Sequence, residues 1–328
     1  MKKIRLVAAI TLLLLAFSPK LSAQFYFFDN EHYDTHLLFE AGGTVGAMNC
    51  LSDIGGRKGK GAPFLKDLNT GNTHLNGGFY LSAIYKYAVA LRLEGIVGRV
   101  SAYDSILKDV EKTTEGRYQR NLNFRSNISE VSLVAEFHIR FILRSFLFED
   151  DLNVDDEPPR LSPYFAAGIG FYSFNPQGKV GNNWIDLQPL SLEGQGFAEY
   201  PNRKPYKLAQ FNLIVGGGLK YELTSNISLR TELLYRTLST DYLDDVSWRY
   251  INRNLFQKYF TGKQLQNALD LSSNDRVNPG GPTGVYRKTE GGRRGVTTNN
   301  DAYFTLNFKV GYVFGRERII RHRQPRRF

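Results

Sequence analysis

Residues 122 to 143, LNFRSNISEVSLVAEFHIRFIL, limit the fold of this chain more than any other stretch. From Val131 to Phe141 every odd position is apolar (Val131, Leu133, Ala135, Phe137, Ile139, Phe141). From Glu130 to Arg140 the even positions carry Ser132, Glu136 and His138 between those ends, broken only by Val134. Side chains alternate across a β-strand, so the segment has one apolar and one charged face. That alternation persists for about eleven residues, the length of a tilted membrane-spanning strand. A half-buried strand of a soluble protein is usually about five or six residues long. The length points to an outer-membrane barrel, and the remaining sequence must supply more such strands.

The termini fit export. Residues 1 to 23 open with Lys2, Lys3 and Arg5, run apolar from Leu6 to Phe17 and reach Leu21-Ser22-Ala23, which reads as a secretory signal peptide cleaved after Ala23. Beyond it there is a single cysteine, Cys50, so no internal disulfide is possible and no zinc-type spacing occurs. No later apolar run has the length of a membrane helix, and a chain of this kind enters lipid only as a closed barrel. The formal charge of +10 is concentrated at the ends: the signal segment has four basic residues and no acid, and residues 315–328 hold six arginines against one glutamate. A nearly neutral body argues against nucleic-acid binding, and the tail lacks the interleaved aromatics that stack bases.

Seven further segments alternate like strands: 36–49, 76–87, 90–101, 161–174, 208–223, 227–239 and 301–314. Five glycines from Gly42 to Gly56 allow bends near the first of these, and the aromatics of residues 24–35 suit a membrane rim. The even total predicts an eight-stranded antiparallel up-and-down transmembrane β-barrel over residues 24–314, followed by a basic periplasmic tail, 315–328. Connections after strands one, three, five and seven have about 25, 20, 30 and 60 residues, the asymmetry of long external loops and short periplasmic turns. The last of these is expected to hold one or two short amphipathic helices. Residues 175–207 read as loop.

Eight strands leave an interior just wide enough for side chains. Inward positions offer Glu40, Arg92, Glu94, Glu130, Glu136, His138, Arg140, Lys220, Glu222, Arg230, Glu232, Arg236 and Lys309. Mixed signs predict a plug of ion pairs and a scaffold, not a channel.

The chemistry offers little else. Of the five histidines, only His138 sits deep in a strand, beside Glu136 and Arg140. Ser132, the nearest hydroxyl along that face, is six residues away, roughly 20 Å on a strand, so a satisfied lumen histidine outweighs a catalytic triad. The GGRKGKG run at 55–61 lacks the phosphate-loop spacing and reads as solvated loop. Asp241, Asp244 and Asp245 are calcium-capable, but helix capping suits them better. No cofactor, metal or catalytic residue is expected. Two segments invite partner docking on the periplasmic side. One is the acidic turn with Asp150, Asp151, Asp155, Asp156 and Glu157; the other is the tail with Arg316, Arg318, Arg321, Arg323, Arg326 and Arg327.

The motifs SPYFAAGIGFYSFNP (162–176), LQPLSLEGQG (187–196), GGGLKYELTSNISLRTELLYR (216–236), TDYLDDVS (240–247) and RRGVTTNNDAYF (293–304), in that order, resemble the Bacteroidota outer-membrane β-barrel family that includes PorG of the type IX secretion system. LEGQG followed by DYLDDVS is the most diagnostic pair. The resemblance spans roughly residues 36–314 and implies a small non-enzymatic barrel associated from the periplasmic side with a ring of PorK and PorN. The long insertion after strand seven and the arginine tail depart from the pattern. A structural or adhesive OmpA-like barrel, with ligand-contacting external loops, is the second reading.

Overall fold

The computed structural model describes residues 37–56, 69–110, 114–139, 161–272, 290–297 and 300–315. The signal segment, the aromatic run at 24–35, most of GGRKGKG, Arg140, the acidic turn and the arginines of the tail lie outside the described residues. Nine strands are present among those described: β1 (Leu37–Leu51), β2 (His74–Tyr85), β3 (Val89–Tyr103), β4 (Asn123–His138), β5 (Leu161–Val180), β6 (Asn183–Asp186), β7 (Ala209–Glu222), β8 (Ile227–Leu238) and β9 (Ala302–Phe314). β1 to β5 pair in sequence, β5 continues to β7, β8 and β9, and β9 closes on β1. Eight antiparallel strands therefore form a closed barrel, as the alternation predicts.

The additional strand, β6, lies in a stretch that reads as loop. β6 pairs with Gln177–Val180, so β5 runs past position 174 and rises from the barrel wall as a hairpin. One face of this extension carries Gln177, Lys179 and Asp186, and the other turns Val180 and Ile185 onto an apolar cluster that includes Leu187 and Phe256. Arg125 fixes it from β4, donating from Nε to Gln177 at 2.9 Å and lying 4.3 Å over the Trp184 ring. β4 covers Asn123–His138 of the opening stretch, and residues 140–143 lie outside the described residues.

Register turns single-strand alternation into surfaces. Ala41, Leu81, Leu93, Leu133, Ile169 and Leu213 are successive cross-strand partners and form one row around the outside. Phe79, Phe165, Phe211 and Val45 above and below it are each more than half exposed. A water-soluble surface does not carry so extensive an apolar band. Lipid is the solvent that makes it favourable, and strands of 12 to 20 residues exceed the roughly 9–11 residues needed to cross the hydrocarbon core.

The inward residues are buried and divide into layers. At mid-barrel Val134, the one break in the charged face of β4, packs with Tyr164, Ala166, Ile214 and Leu234. Toward the long-loop end Met48, Ile96, Phe124, Ile128, Tyr172, Phe174, Leu243 and Tyr303 fill the mouth. Glycine matters where the interior is tightest. The Tyr80 ring lies against Gly42 and Gly311, where a Cβ at either position would run into it.

Candidate functional site

The lumen is filled by two groups of buried ion pairs. Glu40 accepts from the Tyr80 hydroxyl at 2.6 Å, from Ser228 at 3.0 Å and from Arg230 at 2.8 and 3.0 Å. Lys220 sits 3.2 Å from Glu40 and 3.1 Å from Glu222. Arg230 also holds Glu136, which is held from its other oxygen by Arg92. Arg92 reaches Glu232 at 2.6 Å and Glu94 at 3.2 Å, and Lys309 bridges the same two carboxylates at 2.8 and 2.7 Å. A second group lies nearer the long loops: Arg236 donates to Glu130 at 2.9 Å, and Tyr303 and Asn212 donate to the same carboxylate.

These partners come from strands far apart in sequence. Six carboxylates (Glu40, Glu94, Glu130, Glu136, Glu222, Glu232) meet five cations (Arg92, Lys220, Arg230, Arg236, Lys309), all buried. Removing charge from water costs several kcal/mol per ion and is offset only by close, multiple partners. The network supplies them and leaves the barrel axis occupied.

His138 belongs to this network. Its Nδ1 is hydrogen-bonded to the Ser162 hydroxyl at 2.8 Å and its Nε2 is 3.7 Å from Glu136. Ser132, the hydroxyl considered from sequence, turns instead to the Glu94 carbonyl at 3.5 Å. Ser162 is 24 residues away and its approach depends on β4–β5 pairing, which no local pattern reveals. Glu136 is clamped by two arginines, so the geometry is that of a fixed interior.

The long loops fold into a cap built from the motifs singled out in the sequence. Glu193 of LEGQG is fully buried, and its oxygens accept from the backbone of Ser247 and Trp248 and from Arg294, each at 3.0 Å. Gly194 and Gly196 take φ of +77° and +81°, open to glycine at little cost, and bend the chain around that carboxylate. Arg294 also pairs with Asp245 at 3.2 Å, and Asp245 accepts from Tyr206 at 2.8 Å. Arg120, on α1 (Glu115–Arg120), binds Asp104 at 2.8 and 2.9 Å and the carbonyls of Asp53 and Arg294 at 2.9 and 2.7 Å. Two helices, α2 (Phe256–Tyr259) and α3 (Gly262–Ser272), pack Phe256, Ala268 and Leu271 on Leu187, Leu190, Leu192 and Phe197 beside the β5–β6 hairpin.

The aspartates of DYLDDVS do not cap a helix as expected. Asp244 accepts from the backbone of Ile54 and Val246, both at 3.0 Å, and Asp245 is spent on Arg294. Asn252 caps the following helical turn. Among the described residues no three acidic, histidine or cysteine side chains are placed to hold a metal ion. Burial raises Asp245 to about 6 against the pull of Arg294, and raises Asp241 to about 8 against that of Ser247.

No protein-family model and no curated protein matches the chain. Solved structures similar to it include the N-terminal β-barrel domain of Pseudomonas aeruginosa OprF (11% identity, TM-score 0.31, 85% of this chain and 98% of that one). Neisserial surface protein A is similar at 11% identity and TM-score 0.34, covering 85% and 98%. A major outer membrane protein from Thermus thermophilus is similar at 10% identity and TM-score 0.35, covering 85% and 100%. At these values the architecture rests on the strand pairing of the chain itself: a closed eight-stranded barrel with an apolar belt, a charged and occupied lumen, and a folded cap.

Proposed function

We propose that the protein is a non-enzymatic outer-membrane scaffold of the PorG-like kind, holding periplasmic PorK/PorN-type ring proteins at the membrane for type IX secretion. The observation that supports a scaffold is the lumen, whose axis is taken up by paired charges from Glu222 through Lys309. The family resemblance supports the secretion role. The motifs that carry it, LEGQG, DYLDDVS and the second arginine of RRG, meet in one buried cluster at the cap, which accounts for why they occur together. In this reading the cap faces outward, and the acidic turn and arginine tail face the periplasmic partners.

Deleting residues 315–328 while changing Asp150, Asp151, Asp155, Asp156 and Glu157 to their amides is expected to reduce co-purification of PorK and PorN in mild detergent, with the barrel still assembled. Equal recovery of both partners removes the docking role. A null strain that exports type IX cargo at the normal level removes the secretion role altogether.

A further inference from the structure

One stretch of the outer wall above the apolar belt is basic. Arg99 on β3, Arg125 on β4 and Lys179 on β5 share the outward face with the belt residues Val97, Val131 and Phe171. The register pairs Arg99 with Asn127 and Arg125 with Gln177, so the three cations are diagonal neighbours on adjacent strands, about 7 Å apart from one to the next. Outward positions toward the same end of β1, β2 and β8 are Ala47, Leu75 and Thr237, none of them charged. Arg99 donates from Nε to Asn127 at 2.8 Å and Arg125 from Nε to Gln177 at 2.9 Å, both neutral amides. The carboxylate that the register brings to this face, Asp186, accepts from Asn175 at 3.0 Å and from Gln177 at 2.7 Å, and among the described residues it pairs with none of the three cations. Arg99 and Lys179 are exposed, and Arg125 is half-buried against Trp184, 4.3 Å from the ring centre.

Height above the belt selects the ligand. Arg99 is two residues beyond Val97 and Arg125 six beyond Val131, roughly 7 and 20 Å along strands that rise about 3.3 Å per residue. A strand tilt of about 45° reduces these to about 5 and 14 Å above the apolar edge, where a phospholipid headgroup layer is only about 5–8 Å deep. Arg99 therefore lies level with the phosphates next to the acyl chains. Arg125 and Lys179 stand above that layer, within reach only of a headgroup extended by sugars. The lipid that covers the belt continues directly into this wall, and arginine forks match the oxygens of phosphate groups.

We propose that the β3–β4–β5 wall binds an acidic glycolipid of the lipopolysaccharide kind, with a phosphate beside its acyl chains at Arg99 and further anionic groups of its sugars at Arg125 and Lys179. The inference rests on the outward-facing cap of the reading above, because sugar-extended lipid lies in the outer leaflet. It does not rest on the secretion role, so loss of PorK and PorN binding leaves it standing.

The test uses the full chain in phosphatidylcholine nanodiscs, with bound lipid counted by native mass spectrometry and barrel assembly checked by the heat-modifiable gel shift. Lipopolysaccharide should bind at least about tenfold more tightly than its dephosphorylated form, with the preference shrinking as salt rises. The R99Q/R125Q/K179Q variant should lose that preference, whereas R99K/R125K should keep it. Lipid A without core sugars should be weakened by R99Q and left unchanged by R125Q/K179Q, and complete lipopolysaccharide should be weakened by both. An unchanged preference in the assembled triple variant overturns the site. Binding of phosphatidylglycerol as tight as that of lipopolysaccharide, or equal weakening of lipid A by R125Q/K179Q, overturns the sugar-extended ligand. Equal binding of the polysaccharide freed of its acyl chains overturns the lipid assignment.

Discussion

At the scale of the residue, a buried charge is only as stable as its partners. Arg230 pairs with Glu40 and Glu136 at once, so Arg230→Ala takes one of two cationic partners from each buried carboxylate, leaving Glu40 with Lys220 and Glu136 with Arg92. Loss of one partner in such a network costs about 3–5 kcal/mol. The expected outcome is a lower urea midpoint for barrel unfolding in lipid vesicles, followed by the gel shift between folded and heated forms. Exposed Arg249→Ala should change that stability by less than about 0.5 kcal/mol.

Asp241 gives a pH dependence whose sign follows from burial. Its carboxyl titrates near 8 in the fold, against an ordinary value of 3.8. Between those values the folded chain keeps a proton that the unfolded chain has released, so stability is greatest at the acid end and declines as pH rises toward 8. Asp245, raised to about 6, adds to the decline over the lower part of the range. Protease resistance of the cap is therefore expected to be greater at pH 5.5 than at pH 8. Asp241→Asn should flatten the profile by less than about 1.4 kcal/mol per pH unit in that window, because water screens part of the effect. An unchanged slope in this variant would assign the effect to another group.

At the scale of the element, the cap and the barrel are held by different forces. Staves are fixed by ladder hydrogen bonds on both sides, whereas the β5–β6 hairpin, α2 and α3 depend on a small apolar cluster around Phe256. Phe256→Ala removes a fully buried ring at a cost of about 3–5 kcal/mol. Limited proteolysis of this variant should cut within residues 183–208 or 239–272 while the barrel keeps its heat-modifiable gel shift. Simultaneous loss of both would show that cap and barrel unfold as one unit.

At the scale of the whole molecule, the interior decides conduction. With Arg92, Arg230, Lys309 and their carboxylates across the axis, the protein reconstituted in a planar bilayer is expected to show no steady pore current. Sustained conductance of the size of an open porin would contradict the paired interior.

The sequence by itself determined the barrel. Alternation over membrane length appears in each stave, because every residue faces either lipid or the packed lumen and its side chain must suit one of them. The same rule identified Glu94, Glu136, His138, Arg230, Glu232 and Arg236 as inward-facing. Tertiary structure alone decided which charges pair, since Arg92 meets Glu232 across 140 positions of chain. It also decided that His138 meets Ser162, that DYLDDVS joins LEGQG through Arg294, and that β5 continues into a hairpin. Those contacts depend on cross-barrel distance and on loops in water, where no solvent boundary imposes a repeating pattern on the chain.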